Sequence, residues 1–175
     1  DATAIADQYN LGKDSVARAS ASVSVTSHVA NQGWQDTVYD NKVSGTTGKN
    51  LNLEAFRLSL LNSAALGSGI TYRANTSGSW QDWKSNGADA GTTGKNTPVQ
   101  AIQIKLTGTA AQRYDVYYRV HSAEFGWLGW AKNGESAGST GYDRAVQALE
   151  VVLVQKGSSA PGSTVGAYVE KGNEP

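Results

Sequence analysis

Gly33-Trp34-Gln35-Asp36, Ser79-Trp80-Gln81-Asp82-Trp83 and Gly126-Trp127-Leu128-Gly129-Trp130 are three versions of one phrase, 46 and then 47 residues apart. Eleven residues after each leading tryptophan comes a glycine, Gly45, Gly91 or Gly138. These glycines open Gly45-Thr46-Thr47-Gly48-Lys49, Gly91-Thr92-Thr93-Gly94-Lys95 and Gly138-Ser139-Thr140-Gly141-Tyr142. Self-similarity at a fixed period marks a repeat architecture, and the one-residue difference in spacing reads as a loop insertion.

Working outward, each glycine loop leads into an apolar alternation: Phe56, Leu58, Leu60, then Ile102, Ile104, Leu106, then Leu149, Val151, Leu153. A period of two places successive side chains on opposite faces of a pleat, so these runs are half-buried strands with Arg57, Gln103 and Lys105 facing water. Ala55, Ala101 and Ala148 hold one matching place, which points to a close approach that admits only a small side chain. A second strand precedes each tryptophan, over Val23–Val29, Ile70–Ala74 and Tyr114–His121. After each tryptophan, Asp40-Asn41, Asn86-Gly87 and Asn133-Gly134 suit the positive φ of a two-residue hairpin turn.

The expected fold is all-β. Three repeats of three to four antiparallel strands, about 22–61, 69–107 and 114–155, bury their apolar faces around a pseudo-threefold axis as a β-prism-like single domain over 1–175, with a β-trefoil as the alternative. Terminal segments close the assembly. Gly157–Gly162 reads as a linker and Thr164–Glu170 as a last strand pairing with the N-terminal segment.

Composition narrows the functions. The 175 residues carry 15 Lys+Arg and 15 Asp+Glu, so no long-range field draws in nucleic acid or an anionic membrane. Without cysteine, disulfide frameworks, thiolate metal sites and cysteine nucleophiles are excluded. No signal-peptide pattern and no run of 18 apolar residues occurs, so the chain is expected to be soluble, without membrane insertion. Lacking methionine and opening Asp1-Ala2-Thr3, it is expected to be processed or excised from a larger multidomain protein.

The tryptophans are the candidate chemistry, because an indole either fills a core or stacks on a flat partner such as a sugar ring. Trp34, Trp80 and Trp127 read as inter-sheet core. The second position is irregular, with Thr37 where Trp83 and Trp130 stand, and a surface site tolerates such a loss better than a core layer, so Trp83 and Trp130 are the better candidates for ligand contact. With Asp82 and the turn residues Asn86 and Asn133, the five tryptophans form the candidate ligand-binding set.

Other chemistries fail on spacing. A phosphate loop needs a glycine where Val43 and Asp89 stand and a hydroxyl where Asn50 and Asn96 stand. His28 and His121, each six residues before a tryptophan with Ala74 at the matching place, lie in different repeats and share no metal. Asp36 and Asp82 give way to Gly129, and Glu54 is matched by Gln100 and Gln147, a pattern unlike a fixed catalytic pair. Neither catalytic residue nor cofactor is expected.

Together the Gly-Trp pairs, the Asn-Gly turns, the Ala90–Gly94 and Ala137–Gly141 loops and the Glu54–Leu58 strand resemble the clostridial hydrophobic W repeat over roughly residues 22–155. That family occurs in tandem, often in threes, in surface and secreted proteins of Gram-positive bacteria. The resemblance implies an extracellular attachment module that binds a glycan or another bacterial or host surface component, with a protein-binding adhesin or structural module as the alternative and a polysaccharide hydrolase less favoured. Ser79, Ala74 and Thr37 depart from the pattern, so sites in the three repeats are expected to be unequal.

Overall fold

Alternation along β1 (Ser22–Val29) buries Val23, Val25, Ser27 and Val29 and leaves the intervening side chains facing outward. A computed structural model describes residues 21–173. In it β1 pairs antiparallel with β5 (Leu53–Leu61), and β6 (Ser68–Thr76) and β11 (Tyr114–Ser122) pair likewise with β10 (Ala101–Gly108) and β15 (Val146–Gln155). Each opening strand is also paired by two short returns. These are β2 (Gly33–Trp34) and β3 (Val38–Tyr39), β7 (Ser79–Trp80) and β8 (Lys84–Ser85), and β12 (Gly126–Trp127) and β13 (Ala131–Lys132). The inward residues meet in one core: Val23, Phe56 and Leu58 from the first repeat, Ile70 and Ile104 from the second, Leu149 and Val151 from the third, all fully buried.

The repeats are joined by exchange of edges. β9 (Ala90–Gly91) of the second repeat adds to β5 of the first, β14 (Ser136–Thr140) of the third to β10 of the second, and β4 (Ser44–Gly45) of the first to β15 of the third. The three exchanges form a closed cycle. At each junction the loop glycine lies opposite an alanine: Gly91 by Ala55, Gly138 by Ala101, Gly45 by Ala148. These glycines have φ of +86°, +122° and +94°, and a Cβ on them would stand 2.3, 2.4 and 2.5 Å from the carbonyl oxygens of Glu54, Gln100 and Gln147. Those carbonyls accept the next N–H of the incoming chain, from Thr92, Ser139 and Thr46, at 3.1, 3.0 and 3.0 Å. The close approach read from the matched alanines is therefore an approach of backbone to backbone.

Three sheets, one centred on each repeat, fit the prism-like expectation. Three details differ. Asn86-Gly87 and Asn133-Gly134 have positive φ at both positions, as expected, yet they do not close hairpins. They turn the chain out of its own sheet toward the neighbouring one, and Gly87 and Gly134 donate their N–H to Leu58 and Ile104 of the preceding repeat at 2.7 Å. The residue opposite the second leading tryptophan is Asn75, not Ala74, because the hairpin at Ser77-Gly78 is one residue shorter than those ending in Gly33 and Gly126. The last strand, β16 (Tyr168–Glu170), runs parallel to β14 and widens the second sheet. Its expected N-terminal partner lies outside the described residues. Two short helical turns, Asn62–Ala64 and α1 (Thr109–Arg113), link successive repeats.

Gly91→Ala is expected to destabilise the fold by about 2–4 kcal/mol, combining an unfavourable φ with a clash against fixed backbone. Gly94→Ala, at φ +73° with nothing within 4 Å, should cost only about 1 kcal/mol. Paired urea melts check the difference.

Candidate functional site

Cross-strand register decides which side chains share the outer face. Thr26 lies opposite Arg57, Arg73 opposite Gln103 and Arg119 opposite Glu150. Each repeat thus carries one outward arginine at this level, supplied by the closing strand in the first repeat and by the opening strand in the other two. The guanidinium sits over the leading tryptophan of its own repeat, with Arg57 3.7 Å from the ring centre of Trp34, Arg73 5.0 Å from Trp80 and Arg119 4.5 Å from Trp127. Such contacts contribute about 0.5–1 kcal/mol each where water has access. Two of the indoles are also met edge-on by histidine, His28 at 5.2 Å from Trp34 and His121 at 5.3 Å from Trp127. His28 Nδ1 in turn lies 3.1 Å from the Glu54 carboxylate, and His121 Nδ1 is hydrogen-bonded to the Gln147 side-chain oxygen at 3.0 Å.

This reverses the expectation for the leading tryptophans. Trp34 and Trp127 pair with His28 and His121, which alternate with buried neighbours and so face outward; a cross-strand partner shares that face. Trp34 is 36% exposed, and Trp80 and Trp127 are half-buried. The second tryptophans divide. Trp83 is half-buried, with Arg73 at 4.6 Å and Lys105 at 4.1 Å from its ring centre. Trp130, expected at the surface, is only 5% exposed although Arg119 stands 4.9 Å from it. In the first repeat Thr37 instead bonds to Thr26 through their hydroxyls at 2.7 Å.

The tail that follows β15 covers Trp130. The Trp130 backbone N–H donates to the Ser163 carbonyl of the tail at 2.9 Å, and Gly162 packs against the indole nitrogen. Gly129 stands where the other repeats have Asp36 and Asp82, and a Cβ there would lie 2.3 Å from the Val165 carbonyl oxygen. The loss of the acid in the third repeat thus makes room for the tail. Asp115 anchors the tail's start: it accepts from Gly157 N–H at 2.9 Å and from the Asn133 amide at 2.8 Å, with Lys156 at 3.3 Å. Burial pushes the Asp115 carboxyl up, but these donors, with Lys132 beyond them, outweigh it and hold the group below its ordinary range.

Two hollows flank the tryptophans. One of about 430 Å³ is bounded by Arg119, Trp127, Trp130, Glu150 and the tail at Pro161–Ser163. Another of about 480 Å³ lies against Trp80 and is lined by Gln81, Asp82, Lys84, Asp89 and Thr92. Asp82 is exposed in it, in the same hollow as Trp80. Asn86 and Asn133 are occupied differently, their side-chain oxygens accepting the N–H of Ile70 at 3.0 Å and of Val116 at 2.9 Å. They hold the starts of β6 and β11, as Asp40 does for Val23 at 3.1 Å. Sequence reasoning passed over the arginines because they do not occupy one repeat position. The signal available was an arginine on the outward phase of either strand in every repeat.

Among the described residues no helix is long and apolar enough to cross a membrane. A family model, Clostridial hydrophobic W, matches residues 28–62, 77–108 and 121–155, more than half of the chain. Each matched span takes in a leading tryptophan, the turn, the glycine loop and the closing strand. No curated protein and no solved structure matches the chain significantly.

Gly129→Asp is expected to displace the tail from Trp130, raising acrylamide quenching of tryptophan fluorescence while the far-ultraviolet spectrum is kept. Since the folded Asp115 carboxyl is held below its ordinary value of 3.8, its contribution is complete above that value and is lost as pH falls through the lower folded value. Asp115→Asn should therefore be less stable near neutrality and show a flatter decline below about pH 4 in pH-resolved thermal melts.

Proposed function

Because the chain belongs to the clostridial hydrophobic W family, we propose that it is a non-catalytic binding module that recognises glycan on a cell surface, with the outward tryptophan of each repeat as the platform. The observation that carries this reading is the threefold placement of a part-exposed indole, backed by arginine, on the outer face of every sheet. A ring held from one side presents a rigid plate, so little side-chain entropy is lost when a sugar's C–H face settles on it. Around Trp80 the plate is bordered by the Gln81 carboxamide and the exposed Asp82 carboxylate, groups of the kind that hydrogen-bond sugar hydroxyls.

Several features support binding without catalysis. Asp89 is committed to Arg57 at 3.1 Å, which leaves Asp82 as the unengaged acid of that hollow. Glu54 is buried against His28 and has glutamine at the equivalent place in the other repeats. An extracellular setting follows from the same reading, as does membership of a larger protein that this module tethers. Three weak platforms on one rigid body gain avidity on a repetitive target. A protein-binding role is the second reading, favoured by Tyr39 and Val43, exposed at 50% and 44% on the first repeat between the tryptophan and the glycine loop.

Screening the chain on a glycan array and titrating the hits by tryptophan fluorescence tests the proposal. Saccharides should shift the emission, and Trp83→Ala and Trp34→Ala should each weaken binding roughly fivefold, the loss of about 1 kcal/mol of stacking. An array without hits, with fluorescence unmoved by any saccharide, sinks the glycan reading.

A further inference from the structure

The three outward arginines differ in how they are neutralised. Arg57 and Arg119 each have a carboxylate at 3.1 Å, from Asp89 and Glu150. Arg73 instead donates from Nε to the neutral carboxamide of Gln103 at 2.7 Å. Lys105, two residues further along β10 on the same outward phase, adds a second cation 4.1 Å from the centre of the Trp83 ring. Among the described residues no carboxylate lies within ion-pair distance of Arg73 or Lys105.

We propose that the middle repeat takes an acidic glycan, its anionic group held by Arg73 and Lys105 and its ring resting on the Trp80 and Trp83 platform. This inference rests on the glycan reading and assigns a ligand class to one of its sites. With a net charge of zero the protein exerts no long-range pull on polyanions, so selection for charge has to be local. The two cations are placed for it. Both lie against indoles that hold them in position, Arg73 between Trp80 and Trp83 and Lys105 over Trp83, and Gln103 orients the guanidinium without cancelling its charge. Gln103 is itself steadied by donating to the Ser136 hydroxyl at 2.9 Å. A guanidinium fork and an ammonium side by side match the oxygens of a carboxylate or a phosphate, and charge-assisted bonds to either are about twice as strong as neutral ones. In the adjoining hollow Asp89 is already paired with Arg57, and Asp82, which lines the wall together with Lys84, stands outside ion-pair distance of Arg73 and Lys105. The outer repeats, with their arginines paired to acids, remain suited to neutral sugar.

The test compares tetragalacturonate, its methyl ester and a phosphorylated oligomannose by calorimetric titration of the whole chain, Gln103→Glu and Lys105→Gln. Gln103→Glu gives the middle repeat the acid–arginine pair of the third, and thermal melts verify that it folds. The charged saccharide is expected to bind about tenfold tighter than the ester at low salt. Gln103→Glu should bring that ratio near one, and Lys105→Gln, on an exposed side chain, should reduce it several-fold. Comparison of the carboxylated and phosphorylated sugars identifies which anion is preferred. Equal affinity for acid and ester, or a preference that survives both substitutions, overturns the charge assignment while leaving the glycan reading standing. Failure of every saccharide to bind overturns both.

Discussion

The architecture depends on one contact made three times: a glycine in left-handed backbone conformation lying against the carbonyl preceding an alanine in the neighbouring repeat. Gly91 at Ala55, Gly138 at Ala101 and Gly45 at Ala148 let the incoming edge hydrogen-bond at a distance that a side chain on the glycine would prevent. Without it the closing strands would keep open edges, and the core would lose the layer that each exchanged strand brings. The same junctions fix where the outer face lies. Once β5, β10 and β15 are paired on both sides, the phase of each pleat is set, and with it the outward direction of Arg57, Gln103 and Glu150.

From that phase the aromatic surface follows. The leading tryptophan pairs with an outward residue of the opening strand and is thereby placed outside, where an arginine from whichever strand carries one lies over it. Local chemistry then makes the repeats unlike one another. A threonine pair replaces the second indole in the first repeat, two cations without acid partners mark the second, and the tail overlies the third. Three repeats with the same strand pairing thus present three different surfaces.

Much of the fold was legible in the residues. The tryptophan-to-glycine spacing, the alternation of the closing strands and the matched alanines give three β-units and a tight junction, since these depend on local periodicity and residue size. What was hidden depends on pairing between distant segments. Asn75 takes the histidine place because a hairpin is shortened by one residue, an event that counting back from Trp80 to Ala74 cannot see. Burial of Trp130 is set by Gly162 and Ser163, more than thirty residues later in the chain, and the glycine at 129 is a trace of that cover visible only after the fact. Asn86 and Asn133 were placed correctly in turns, but their side chains bond backward to strand starts, where a polar turn residue resembles a ligand contact in sequence alone.

The cyclic exchange of edges also bears on how the protein comes apart. A linear array of repeats has terminal members with one free flank, and such members fray first because they lose the fewest neighbours. Here every unit both gives an edge and receives one, so no unit is terminal in space even though two are terminal in the chain. Detaching any one of them breaks two junctions at once, an arrangement that favours unfolding as a single cooperative event.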